Sequence, residues 1–301
     1  MAEPPFDPRC TPARPDLAAL ELKGKVEATR FVAGELYEVI DAQAPLRRAP
    51  ASDNALETEA LKGERVVVYE TTDEGWAWGQ LESDGYVGWL PANALARPGV
   101  TPTHKVAVPR TLVFPGPSIK LPPIQALSLG ARISIARLEG PLAMMSAGGF
   151  VPARHLALLD FHESDFVAVA ERFLDVPYLW GGKTSLGLDC SGLVQVALTA
   201  CGVPCPRDTD MQERDLKPGD SMERSSLERR WDTKREGGVY DPKRGDLIFW
   251  KGHVAIVRDT KTLIHASAFH MAVAIEPIHE AIERIGAAGT EVTSMRRMAT
   301  A

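Results

Sequence analysis

The chain has 301 residues, 45% of them hydrophobic and 25% charged, which suits a globular protein of two or three domains better than one domain. A net charge of −6 without any basic cluster argues against a nucleic-acid partner, and the absence of a run of about 18 apolar residues argues against a membrane span. The four cysteines, Cys10, Cys190, Cys201 and Cys205, are too few for a disulfide framework in a chain of this size.

Residues 1–34 carry no clean hydrophobic period and read as an arm on the body that follows. The opening MAEPPFDPRCTPARPDLAAL is Pro-rich and lacks the apolar stretch of a secretory signal, so a cytoplasmic location is expected. From 35 to 98 the pattern is short strands between turn signals. ERVVVYETT (64–72), WAWGQLE (76–82) and YVGWLP (86–91) alternate, and Asp-Glu-Gly and Ser-Asp-Gly break them, as in a small all-β barrel. Residues 99–160 repeat the idea, because GWLPANAL (88–95) and GFVPARHL (149–156) match in register and each closes a stretch of short strands. A Pro-rich loop, 115–125, falls inside the second copy.

The texture changes in 161–301. Phe166, Val169, Ala170 and Phe173 share one face of a helix expected within 164–178, which Pro177 ends. A second helix fits 190–202, with Leu193, Val194, Ala197 and Leu198 buried and Gly202 as its C-terminal stop. Residues 213–243 are polar and read as a long loop. Strands follow at 246–250, 253–257, 262–266 and about 272–278, an α+β order.

Cys190 stands at the start of its helix. Free backbone N–H groups and the helix dipole favour a thiolate there, Asp189 can cap the first turn, and Gly192 leaves room for a substrate. A buried structural cysteine usually sits inside an apolar run, whereas this one is flanked by Asp and Ser. A thiol nucleophile needs a base. His253 and His265 lie in neighbouring strands joined by the turn 258–261, so one ring can meet the thiol while the other orients the first. Cys201 and Cys205 have no matching second pair, and the histidines are engaged by the thiol, so neither a metal nor another cofactor is expected. Asp246, in an Arg-Gly-Asp-Leu turn, reads as structural.

YLWGGKTSLGLDCSGLVQ (178–195), KRGDLIFWKGHVAIV (243–257) and LIHA (263–266) together closely resemble the NlpC/P60 cysteine peptidases over about 165–280. The resemblance implies a papain-like α+β domain with Cys190 as nucleophile, His253 as base and His265 as the residue that orients it. Tyr178 would help hold the scissile carbonyl. The two β-modules resemble bacterial SH3 domains, giving two SH3-like barrels at 35–98 and 99–160 before the peptidase domain. That arrangement resembles the γ-D-glutamyl-L-diamino acid endopeptidases of murein-peptide recycling, whose substrates carry a free N-terminal L-Ala. Asp208 and Thr209 match the motif that binds the L-Ala amine. Asp189 and Ser191 would contact the D-Glu carboxylate region, and Tyr86 would wall off the N-terminal subsite, the other reading of Tyr86 being barrel core; Trp180 either lines the cleft or packs beneath it. The polar insert after Gln212 departs from short family members. The alternatives are a wall-binding protein that uses its SH3 modules and a secreted peptidoglycan hydrolase, amidase or acyltransferase on the same core.

Overall fold

The structure, a computed structural model, describes residues 6–216 and 242–298. The chain divides into two compact units, Met1–Phe161 and His162–Ala301.

In the first unit the arm is ordered against the β-structure. Strands β1 (Leu17–Ala19) and β2 (Arg30–Val32) pair in parallel. Leu17 and Ala19 are buried in one cluster with Tyr69, Trp78 and Trp89. Arg14 holds its guanidinium over both indoles, 4.4 and 4.9 Å from the ring centres, and pairs with Glu70 at 2.5 Å. Strands β3 (Glu35–Val39), β4 (Gln43–Arg47), β5 (Leu56–Leu61), β6 (Arg65–Thr71), β7 (Trp76–Leu81), β8 (Val87–Pro91) and β9 (Leu95–Ala96) form one sheet in the order β5-β4-β8-β7-β6-β3-β9.

A second set of strands follows: β10 (His104–Val106), β11 (Arg110–Val113), β12 (Gln125–Ser128), β13 (Arg132–Ile133), β14 (Ile135–Glu139), β15 (Leu142–Met145), β16 (Phe150–Pro152) and β17 (Leu156–Leu158). They form three small sheets, β13-β10-β17, β11-β12 and β14-β15-β16. The repeated octamers adopt the same backbone. Pro91 and Pro152 each end a strand at φ/ψ of −59/122° and −58/120°. Each opens a 3-10 turn, Ala92–Ala94 or Ala153–His155, and the leucine that follows is extended, at φ/ψ of −117/143° and −111/148°.

In the second unit, helix α1 (Phe166–Glu171) is capped by Asp165, whose carboxylate accepts from the N–H groups of Val167 and Ala168. It is shorter than the period suggested, and the chain has already turned by Asp175 (φ 65°). Two-residue strands β18 (Lys183–Thr184) and β19 (Gly187–Leu188) form a hairpin that leads into helix α2 (Cys190–Ala200). Gly202 ends α2 at φ +77°, where the Val203 N–H reaches back to Leu198 O at 3.0 Å. Helix α3 (Thr209–Asp215) occupies the start of the stretch expected as loop. Of that stretch, residues 217–241 lie outside the described residues. Strands β20 (Asp246–Trp250), β21 (His253–Val257), β22 (Thr262–Ser267) and β23 (Ala272–Pro277) form an antiparallel meander. Helix α4 (Ile278–Ala287) follows, and β24 (Val292–Arg297) closes the sheet as β23-β22-β21-β20-β24. Ile278 and Ala281 of α4 pack on Ile248, Trp250, Ala255, Val257 and Leu263, and so cover one face of this sheet. Asp246 pairs with Arg297 of β24 through both carboxylate oxygens and accepts the Lys243 N–H, which fixes the sheet edge.

What fixes the start of α2 is a buried ion pair. Asp189 caps the helix by accepting the Gly192 N–H at 2.7 Å, and its other oxygen accepts the Gly181 N–H at 2.8 Å. Arg207, 1% exposed, binds both oxygens of Asp189 at 2.9 and 2.7 Å and also reaches Ser191 Oγ at 2.9 Å. Removing one member of such a pair strands the other charge away from water, which costs about 3–5 kcal/mol. Arg207→Met is therefore expected to lower the unfolding free energy of the second unit by about that much. Urea unfolding checks this; a loss below about 1 kcal/mol would mean that the pair is not the anchor described.

Candidate active site

Cys190 is the first residue of α2 and is 7% exposed. Its Sγ lies 3.8 Å from Thr209 Oγ1, and the backbone N–H of Val254, next to His253, points at it. Burial pushes the thiol up to about 11, and the Asp189 charge adds to the effect. The contacts from Val254, Thr209 and the Ser191 N–H oppose the rise without reversing it. Desolvation of the buried thiol thus works against the thiolate that the helix start favours.

The His253 imidazole is also held neutral. Burial pushes His253 down to about 3, helped by the charges of His265 and Arg284 and opposed by Glu276. His253 Nε2 and His265 Nδ1 are 2.9 Å apart. The sequence spacing that suggested a hairpin pair therefore yields direct contact. His265 is 1% exposed, and burial lowers its pKa as well. A neutral thiol served by such a pair of linked imidazoles would pass its proton to nitrogen as the sulfur bonds to an electrophile. That is general-base chemistry.

Tyr178 is half-buried near the thiol. Its phenol is pushed up to about 12, first by burial, then by the charges of Cys190 and Asp189, so it keeps its proton as a hydrogen-bond donor. Thr209 is buried against the thiol, and Asp208 precedes it as the N-cap residue of α3. Trp180 is 67% exposed. Tyr86 belongs to the first unit. It is buried there, with its hydroxyl 3.4 Å from Glu57 Oε2, and Trp89 is part of that unit's aromatic core.

Asp189 is engaged within the fold: five donors converge on it, from Gly181, Gly192, Ser191 and twice from Arg207, whose charge balances its own. One expectation gives way here. Gly192 makes room for backbone rather than for substrate, since a Cβ there would lie 2.2 Å from Gly182 O. The sequence reading missed Arg207 and Glu276. A lone arginine after Pro206 carries no periodic signal, and only the fold reveals that it is buried. Glu276 could have been noticed as a charge inside an otherwise apolar strand.

Among the described residues, His265, His270 and Glu276 bring three ligand atoms within 4.8 Å of one another. Glu276 is already paired with the Arg284 guanidinium, whose charge opposes a cation there.

Residues 175–284 match the model of the NlpC/P60 family, and residues 46–95 match the model of the bacterial dipeptidyl-peptidase SH3 domain. The chain is 25% identical over 260 residues to the γ-D-glutamyl-L-lysine dipeptidyl-peptidase of Bacillus cereus, covering 75% of this chain and 72% of that one. It is 28% identical over 193 residues to the Bacillus subtilis protein of the same name, covering 57% and 64%. The crystal structure of an NlpC/P60 family protein from Bacillus cereus superposes with a TM-score of 0.67 at 21% identity, over 87% of this chain and 99% of that one. The chain belongs to the NlpC/P60 family of peptidases, hydrolases, and carries a bacterial SH3 domain ahead of the peptidase domain.

Proposed function

We propose that the chain is a cysteine endopeptidase that cuts the γ-D-Glu–diamino acid bond of murein peptides bearing a free N-terminal L-Ala, in the recycling of cell-wall peptides in the cytoplasm. The observations that support the chemistry are the buried thiol of Cys190, which meets the Val254 N–H at the start of β21, and the hydrogen-bonded pair formed by the preceding residue His253 with His265. As the Cys190 sulfur attacks the γ-carbonyl carbon, His253 takes the thiol proton and His265 holds the ring in place. Negative charge gathers on the carbonyl oxygen. The Cys190 N–H in the first turn of α2 and the Tyr178 phenol are the donors for it. His253 then returns the proton to the departing diamino-acid amine, leaving an L-Ala-γ-D-glutamyl thioester. Water activated by the same imidazole hydrolyses that thioester.

The substrate assignment rests on the names of the two Bacillus relatives and on Asp208–Thr209, placed at the start of α3 beside the thiol. A carboxylate there suits an ammonium group. The close match of Pro91–Leu95 and Pro152–Leu156 supports reading the second β-module as a second SH3-like barrel. An intact Cys–His–His set favours an enzyme over a module that only binds the wall.

Three outcomes are expected. Cys190→Ala abolishes release of L-Ala-γ-D-Glu from L-Ala-γ-D-Glu-meso-diaminopimelate, followed by mass spectrometry, while circular dichroism stays native; substantial turnover in that variant would refute the nucleophile. Asp208→Asn raises KM on the same tripeptide about tenfold or more, because a charged hydrogen bond is worth roughly 1.5–3 kcal/mol; an unchanged KM would remove the amine-binding role. Alkylation of Cys190 by iodoacetamide accelerates steadily from about pH 6 to about pH 10, because the thiolate is the reactive form and this thiol titrates near about 11. A rate already level below about pH 6 would show a resting thiolate instead.

A further inference from the structure

We infer that Glu276 is a fourth, positioning member of the catalytic array, a carboxylate that fixes the tautomer of His265 and through it that of His253. This rests on the thiol–imidazole reading above.

The sheet sets up the contact. His265 on β22 lies opposite Ala274 on β23, so Glu276, two residues further along, emerges on the same face. That face carries α4, which supplies Arg284. Glu276 Oε1 is 2.9 Å from His265 Nε2, with the N–H bent off the direct line, and Glu276 also pairs with the Arg284 guanidinium. Glu276 is 8% exposed and His265 1%, so solvent does not substitute for either partner. His270 packs its ring 5.8 Å from that of His265, and Phe269 lies under Arg284 at 4.4 Å. The charged and titratable groups around His265 are therefore His253, His270, Glu276 and Arg284.

The consequence follows from counting protons. A carboxylate can only accept, so it selects the His265 tautomer with hydrogen on Nε2. His265 Nδ1 is then a lone pair, and the His253 nitrogen 2.9 Å away, Nε2, must be the donor. This leaves His253 Nδ1 without a proton, ready to take the one from Cys190. Without the carboxylate, His265 can carry its hydrogen on Nδ1 and turn His253 into the useless tautomer. Burial works against ionising Glu276, but His265 and Arg284 outweigh it and hold the carboxyl down to about 2, so it remains an acceptor throughout the working range.

The test uses the full-length enzyme and Glu276→Gln, Glu276→Asp and Arg284→Met, with kcat and KM on the tripeptide and 15N spectra of the histidine side chains. Glu276→Gln should lower kcat about ten- to a hundredfold with KM within about twofold, as for outer partners that orient a catalytic ring. Glu276→Asp should restore part of the loss. Arg284→Met, which keeps the carboxylate on His265, should lose less than Glu276→Gln and still show His265 protonated at Nε2. The 15N spectra should report Nε2–H in the parent enzyme and mixed tautomers in Glu276→Gln. An unchanged kcat in Glu276→Gln, or Nδ1–H on His265 in the parent, would overturn the inference. So would equal losses in Glu276→Gln and Arg284→Met that track their melting temperatures. If the parent enzyme leaves the tripeptide intact, the proposed reaction fails, and the parent 15N spectrum still decides the role of Glu276.

Discussion

The site depends on one buried ion pair. Asp189 and Arg207 come from segments on either side of α2, and their bidentate contact ties three pieces of backbone together: the loop at Gly181–Gly182, the start of α2 and the segment leading to α3. Cys190 follows Asp189 directly, and Thr209 comes two residues after Arg207. The 3.8 Å approach of Thr209 Oγ1 to the thiol is thus a by-product of a charge pair a few ångströms away. Isolated in the interior, either charge would be costly; together, with capping and backbone hydrogen bonds satisfying the carboxylate, they hold the thiol where it is.

The same economy of buried charge governs the other half of the site. His253, His265 and Glu276 come from three consecutive strands, and each contact leaves the next group one permissible proton position. The site's groups are kept neutral at the reacting end and charged at the far end: SH and imidazole near the substrate, carboxylate and guanidinium beneath. Tyr178, with its proton held by burial, belongs to the neutral end.

Much of this was legible in the residues. The repeated octamer predicted a repeated backbone, because Gly, Pro and Leu at fixed offsets dictate a strand end, a tight turn and a return to extended chain. The alternation of β20 to β23 and the 12-residue spacing of His253 and His265 predicted a hairpin pair. Asp189 as a cap followed from local chemistry. What stayed hidden depends on the tertiary fold. β24 has the unremarkable sequence VTSMRR and is a strand because β20 offers it an edge. α4 begins directly after Pro277, the last residue of β23, and that strand pattern hid the helix period after it. Arg207 and Glu276 gain their meaning from partners 18 and 11 residues away, and no period points from one to the other. The burial of the thiol was hidden for the same reason: a helix start is visible in sequence, whereas the contacts of the sulfur with β21 and α3 are not.

The central claim is that this buried thiol serves a substrate selected by its free amine. The most direct measurement compares L-Ala-γ-D-Glu-meso-diaminopimelate with the same tripeptide acylated on its alanine amine, under reducing conditions, with L-Ala-γ-D-Glu or its acyl form followed by mass spectrometry. Cleavage of the free peptide and sparing of the acylated one is the predicted result. Equal cleavage of both would contradict it and point to a hydrolase of the intact wall.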